Sequence, residues 1–379
     1  MKEYEARKQR VLLVVRWPVG GIRTFLKYVL ARFPPDKYEF VFLGANTEAI
    51  GALRQDLGAI VSEWLLFPED GNELKSCFNL VKKTLKSQKF DLIHAHGFTS
   101  AVSCVFPARL KQVPVICTSH DVLLPTQFSG WKGRLKKIGL FAALSQCRIV
   151  QSVSVDAEAN LSAALPWLQK RRMRVILNGV DTKAFESSVA RDLKTEFSLP
   201  KDTMLIGFFG RFMGQKGFGI LVDAIKKLNE REMIAPNIHV VCFGSGAFIR
   251  EEQANIEALN LSGAFTFIPF TADISGAMKG CDIVAMPSRW EACGLVAMEA
   301  LAAGVPFVGS NCIGLREVLD GTPAIVVETG DSESLARGII ECLNKGAKPF
   351  TDYAPEAVDR FDVRRTSEQI QAMYEQVLK

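Results

Sequence analysis

The chain has 379 residues, 48% of them hydrophobic and 23% charged, with nine cysteines and a formal charge of +5. That length fits two domains, or three. The balance of apolar and charged residues excludes a disordered or fibrous chain. Apolar stretches all fall short of the roughly 18–20 residues of a membrane span. The run at 11–15, after a charged start, is too short for a signal-peptide core. The cysteines form no C-x-x-C pair, which argues against a zinc ribbon, a redox dithiol and a secreted disulfide framework. They read as small buried residues of a chain in a reducing cytoplasm.

Short apolar runs alternate with amphipathic stretches. Strands are predicted at 11–15, 39–44, 90–96, 113–120, 147–154 and 173–179. Helical patterns fall between them at 20–32, 72–87, 98–110, 131–146 and 155–168. The series restarts with a strand at 203–211, a helix at 217–234, and strands at 238–246, 264–270, 281–288, 305–310 and 323–328. Strands apolar almost throughout suit a parallel sheet covered on both faces. The fold class is therefore α/β, with two tandem Rossmann-like, doubly wound domains facing a cleft. The expected domains are 1–180 and 181–362. The first half carries 26 Lys and Arg against 14 Asp and Glu, a charge of +12. The second carries 20 against 27, a charge of −7. A basic half suggests that it faces something anionic.

In open α/β sheets ligands sit at the carboxyl ends of the strands. After 11–15 come Gly20 and Gly21, opening a helix, where backbone amides favour an anion. His120 follows the strand at 113–119 and can reach a hydroxyl or a developing charge. His94 and His96 share one side of a strand and read as structural or supporting. After 203–209 comes Gly210-Arg211-Phe212-Met213-Gly214-Gln215-Lys216-Gly217. Arg and Lys around glycines at a helix start suit a diphosphate. This is not a Walker A loop. Gly244-Ser245-Gly246 lacks the third glycine of a dinucleotide fingerprint, Ile249 holding that place, which disfavours a nicotinamide or flavin. The strongest signal is 286–306: a strand, a loop bearing Glu291, and a helix opening at Cys293-Gly294-Leu295 and carrying Glu299. Amides there can hold phosphate, and the two acids can accept hydrogen bonds from sugar or ribose hydroxyls.

Glu291 and Glu299 resemble the E-x7-E signature of retaining, nucleotide-sugar-dependent glycosyltransferases of the GT-B fold, and more narrowly family 4. The resemblance extends over nearly the whole chain through Gly20-Gly21, DLIHAHG (91–97), TSHD (118–121), NGVD (178–181), GRFMGQKG (210–217) and IGLREVLDG (313–321). It implies that Arg211 and Lys216 hold the donor diphosphate, Glu291 the sugar hydroxyls and Glu299 the ribose. Gly210, Gly244, Cys293, and the amides of Gly294 and Leu295 would complete the donor site. Gly20 and Gly21 would approach the diphosphate and His120 the sugar. It also implies that residues 363–379 form a helix packing back on the first domain. No metal is expected, Arg, Lys and a helix dipole taking the place of the cation. No other cofactor is expected, the nucleotide-sugar being a substrate. Departures from the family pattern fall at Cys293, often Phe, at Ile313-Gly314 before Glu317, and at Pro269-Phe270, and bear on base and sugar preference.

The expected activity is transfer of a sugar from a nucleoside-diphosphate sugar to a glycan or lipid-linked glycan, in cell-surface polysaccharide or glycolipid synthesis. A nucleotide-sugar 2-epimerase and a non-catalytic sugar-nucleotide-binding protein are the alternatives. Residues 130–141 join Trp131, Leu135, Ile138 and Phe141 to Lys132, Arg134, Lys136 and Lys137. Two readings are open for this segment. One is contact with an anionic membrane on the cytoplasmic face. The other is an ordinary helix packing Leu135, Ile138, Ala142 and Leu144 on the sheet. No nucleic-acid-binding module is visible.

Overall fold

Apolar side chains fill both faces of the strands, so each sheet has to be covered from two sides. Along the first strand, Leu12 and Val14 enter one buried cluster, and Val11, Leu13 and Val15 enter another. The computed structural model describes residues 7–48, 50–69, 71–230, 237–269 and 271–379. It divides into two units: residues up to Asn178 together with Val363–Lys379, and Gly179–Asp362.

The first unit holds β1 (Gln9–Val15), β2 (Tyr38–Ala45), β3 (Val61–Phe67), β4 (Leu92–His96), β5 (Val115–Ser119), β6 (Ile149–Ser152) and β7 (Met173–Val175). They lie in the order β3-β2-β1-β4-β5-β6-β7, each pair parallel. The second unit holds β8 (Met204–Phe209), β9 (Ile238–Phe243), β10 (Phe265–Ile268), β11 (Ile283–Met286), β12 (Phe307–Ser310) and β13 (Ile325–Val327). Their order, β10-β9-β8-β11-β12-β13, repeats the same winding. Both are Rossmann-like orders. Direction of winding reverses between β1 and β4, and again between β8 and β11, so the loops leaving those strands diverge and open a crevice.

The helix Val363–Leu378 lies on the first unit's sheet. Val363, Ile370, Met373 and Tyr374 join the cluster of Val11, Leu13, Phe25 and Phe42. Ser367 Oγ donates to Val29 O at 3.1 Å, and Thr366 Oγ1 to Leu177 O at 2.7 Å. Lys37 and Glu375 form an ion pair.

The sequence pattern misses β3 and the helix Ile50–Leu57. β3 is an edge strand, VSEWLLF, whose middle residues are only partly buried, so its apolar signal is weak. The helix spans eight residues, two turns, too few for a clear period. The helix expected at 217–234 is Phe218–Glu230, and 231–234 lie outside the described residues. The same holds for the end of the strand expected at 264–270, for Phe270, and for the charged start at 1–6.

One expectation is corrected. The helix Gly130–Leu144 packs Gly133, Leu140, Ala143 and Leu144 inward. Leu135, Ile138 and Ala142, expected on the sheet, are exposed. Gly133 sets this orientation, because a Cβ there would meet Phe128 C at 2.2 Å. Eight of the nine cysteines are buried, Cys293 is half-buried, and none is in a disulfide. Among the described residues no helix is long and apolar enough to cross a membrane.

Candidate active site

In the second unit the loops after β8 and β11 leave neighbouring strands at the switch point. Phe212 anchors the first loop. It is fully buried and packs edge-on or tilted against Phe208, Phe218 and Phe267, ring centroids 4.9–5.5 Å away. With Phe212 turned inward, the preceding Arg211 is exposed. A turn of 3-10 helix, Gly214–Lys216, then brings Lys216 back over the strand end, its stem 3.7 Å from where a Gly210 Cβ would stand. Gly217 follows with φ +64, and a Cβ there would lie 2.1 Å from Pro287 O. Only glycine lets the two loops meet so closely.

Lys216 Nζ donates to Glu291 Oε1 at 2.7 Å. Ser288 Oγ donates to the same oxygen at 2.7 Å, and Ser310 Oγ in turn donates to Ser288 O. The Glu291 amide donates to Ile313 O at 3.0 Å. Gln215 Nε2 donates to Trp290 O at 2.9 Å, and the Arg289 amide to Gln215 O at 2.7 Å, tying the loops together again. Glu291 is buried, and its side-chain bonds all fall on Oε1. Oε2 is left to accept from another group.

The helix Leu295–Ala302 follows, with Gly294 at its cap. Ala297 and Met298 donate to Gly294 O. Leu295 N–H, expected to be a free donor, bonds Cys293 O at 3.0 Å, an i to i−2 turn that tightens the helix start. Val296 N–H has no intrahelical acceptor. Glu299, one turn in, is buried, and burial pushes its carboxyl up to about 8, partly offset by the charge of Lys216. Lys216 therefore acts electrostatically on both acids of the signature. Gly244 closes the loop after β9 with φ +147. A Cβ there would stand 1.9 Å from Gly210 O, so the two glycines are in backbone contact. Among the described residues no group of three or more His, Cys, Asp or Glu is placed to hold a metal.

Gly20, Gly21 and His120 belong to the first unit. Gly20 caps the helix Gly21–Leu30 after β1, with φ +58. That helix sends Phe25 against the rings of both His96 and His120, at 5.6 and 5.0 Å. His96 Nδ1 and His120 Nε2 lie 3.1 Å apart. His94 is held at both nitrogens, by Tyr374 Oη at 2.7 Å and Thr118 Oγ1 at 2.6 Å. Burial pushes His94 and His120 down to about 3 and His96 well below its usual value, so all three are neutral at pH 7. His96 Nε2 is buried with no partner. A buried orphan N–H is the costlier defect, so the proton belongs on Nδ1. His96 then donates to His120 Nε2, and His120 carries its own proton on Nδ1.

The sequence pattern missed Ser288, Ser310, Gln215 and the pairing of His96 with His120. The H-x-H spacing in 94–96 is the one available signal, since it puts both rings on one face. Serines at 288 and 310 come together only through the register of β11 and β12.

Residues 19–184 match the model of Glycosyltransferase Family 4, and residues 190–356 that of Glycosyl transferases group 1. The chain is 26% identical over 278 residues to the UDP-Gal:alpha-D-GlcNAc-diphosphoundecaprenol alpha-1,3-galactosyltransferase of Escherichia coli, covering 71% of this chain and 70% of that one. It is 29% identical over 309 residues to the D-inositol 3-phosphate glycosyltransferase of Corynebacterium urealyticum, covering 75% and 71%. Its fold is similar to that of Anabaena HepE in a structure with UDP-glucose, with a TM-score of 0.81 and 24% identity over 97% of this chain and 99% of that one. The epimerase alternative gains no support from these relatives.

Two outcomes test this geometry. The Glu299 carboxyl keeps its proton in the folded state to about pH 8 but loses it near 4.5 when unfolded. Unfolding in that window releases a proton, so stability falls as pH rises from 4.5 to 8. Denaturation of E299Q should therefore show a gain over the parent that grows across this range and then levels; parallel curves would contradict the burial argument. For the histidines, nitrogen-15 NMR of selectively labelled protein should show His120 protonated at Nδ1, and a shift of that tautomer in H96F. The opposite tautomer would reverse the donor.

With matching models over both units, transferases as relatives and a GT-B neighbour, the chain belongs to the glycosyltransferases of the family 4 and group 1 type.

Proposed function

We propose that this glycosyltransferase takes a hexose from a nucleoside-diphosphate sugar, with retention and without a metal, and passes it to a glycan or lipid-linked glycan acceptor. The observation that carries this reading is the Lys216–Glu291 pair at the switch point of the second unit. Lys216 has two ammonium protons left for phosphate oxygens, and exposed Arg211 brings a planar donor fork beside it. Together they offset the charge that builds on the departing diphosphate, the task a cation performs elsewhere. The helix start at Gly294 and Val296 adds amides and a positive dipole end.

Glu291, oriented through Oε1, offers Oε2 to a sugar hydroxyl. Neutral Glu299 can both donate to and accept from a ribose hydroxyl. For the first unit the proposed roles are Gly20 and Gly21 toward diphosphate and neutral His120 as an N–H donor toward the sugar. Glu291 is committed to Lys216 and Ser288, which makes it a poor nucleophile. Retention is then assigned to front-face attack: the acceptor oxygen bonds the anomeric carbon as the bond to diphosphate breaks. The acceptor proton passes to the leaving phosphate oxygen.

The similarity to a relative named for transfer from UDP-Gal to a diphosphoundecaprenol-linked sugar supports the donor and acceptor classes. Nine cysteines, none in a disulfide, suit work in a reducing cytoplasm.

Lys216→Ala should lower kcat/KM by about a hundredfold or more with the fold intact; normal turnover would remove Lys216 from the mechanism. Glu291→Ala should impair transfer more than nucleoside-diphosphate binding, and equal loss of both would overturn the sugar contact. Proton NMR of the first product formed should show the donor's anomeric configuration, with EDTA leaving the rate unchanged. An inverted product, or a rate abolished by EDTA, would overturn those two assignments.

A further inference from the structure

The helix Gly130–Leu144 is apolar on two opposite sides. Gly133, Leu140, Ala143 and Leu144 face the core. At 3.6 residues per turn, Trp131, Leu135, Ile138 and Ala142 fall on the opposite side. Trp131 is 69% exposed, Leu135 59% and Ile138 61%. Trp167, 66% exposed, extends the stripe, its ring 6.1 Å from that of Phe141. Exposed apolar side chains standing singly are ordinary, but three large ones on one side of a helix, with a fourth beside it, mark an interaction surface.

Cations border this stripe. Lys132 and Arg134 leave the helix on the two flanks of the stripe, and Lys137 lies over the Trp167 ring at 5.9 Å. Lys170, Arg171, Arg172 and Arg174 follow Trp167 in the chain. Neither 130–144 nor 165–174 contains an acid. A second copy of this face would bring like charges together, which opposes self-association. Nucleic acid would meet the cations but gain nothing from Leu135 and Ile138. A bilayer of anionic lipids satisfies both: apolar side chains enter the headgroup boundary, tryptophans sit at its level, and long cationic side chains reach phosphates.

We propose that the outer face of Gly130–Leu144, with Trp167, docks on an anionic phospholipid bilayer. The docking does not depend on the chemistry assigned above. It explains why a helix of a Rossmann-like unit keeps its outer side apolar, and it places the first unit on the surface where a lipid-linked acceptor resides.

The test is sedimentation of the full chain with vesicles of phosphatidylcholine alone, or with about 30 mol% phosphatidylglycerol, a composition that sets an anionic surface potential. The chain should bind the anionic vesicles, weakly or not at all the neutral ones, and release at about 0.5 M salt. The exposed double variant Leu135→Ser, Ile138→Ser should bind at least about tenfold less tightly. Lys132→Ala with Arg134→Ala should lose roughly thirtyfold. Melting curves check that both fold, and the cation pair carries the test if the first does not. No vesicle binding, binding independent of anionic lipid, or binding unmoved by both variants would overturn the proposal. So would a duplex DNA probe or a concentration-dependent dimer that takes the patch while vesicles do not.

Discussion

A lysine and a glutamate, held 2.7 Å apart at the point where a parallel sheet reverses its winding, set the demands that the second unit meets. Both are largely withdrawn from water, at 17% and 7% side-chain exposure. A surface pair would contribute about 0–1 kcal/mol. Removing one partner of a buried pair costs about 3–5 kcal/mol, because the other is stranded. The loops are therefore built to keep this contact. Phe212 pins the first loop to the core, and Ser288 shares the carboxylate oxygen that Lys216 uses. Gly217 lets the first loop touch Pro287 on the second. The same arrangement leaves one carboxylate oxygen and two ammonium protons unspent, which is what a polar substrate needs.

The first unit solves its corresponding position differently. Beside an Arg16–Glu73 ion pair after β1, its strand ends carry a row of neutral imidazoles, His94, His96 and His120, with Tyr374 bonded to His94. Burial suppresses their charge, so they hold geometry and tautomer rather than charge. Tyr374 comes from the helix Val363–Leu378, so that helix holds His94 on β4.

Most of the fold was legible because parallel strands buried on both faces read as unbroken apolar runs. Those runs located twelve of the thirteen strands among the described residues; the edge strand β3 mixes Ser62, Glu63 and Trp64 and escaped. Local spacing also placed Arg211, Lys216, Glu291 and Glu299 at strand ends and on a helix. It could not show that Lys216 and Glu291 touch, since 75 residues separate them. Ser310 was invisible for the same reason, being recruited by strand register. The helix at 130–144 misled because both of its sides are apolar, so periodicity alone does not say which side is buried. Gly133 decides it, through close approach to the Phe128 backbone.

The central claim is that the Lys216–Glu291 corner binds a nucleoside diphosphate. Calorimetric titration of UDP, GDP and ADP into the chain, with EDTA and without acceptor, tests it directly. One of them should bind distinctly, and its affinity should fall about tenfold or more when Lys216 becomes alanine, the loss of a charge-assisted contact. Absence of binding by all of them, or affinity unmoved by that substitution, would contradict the account.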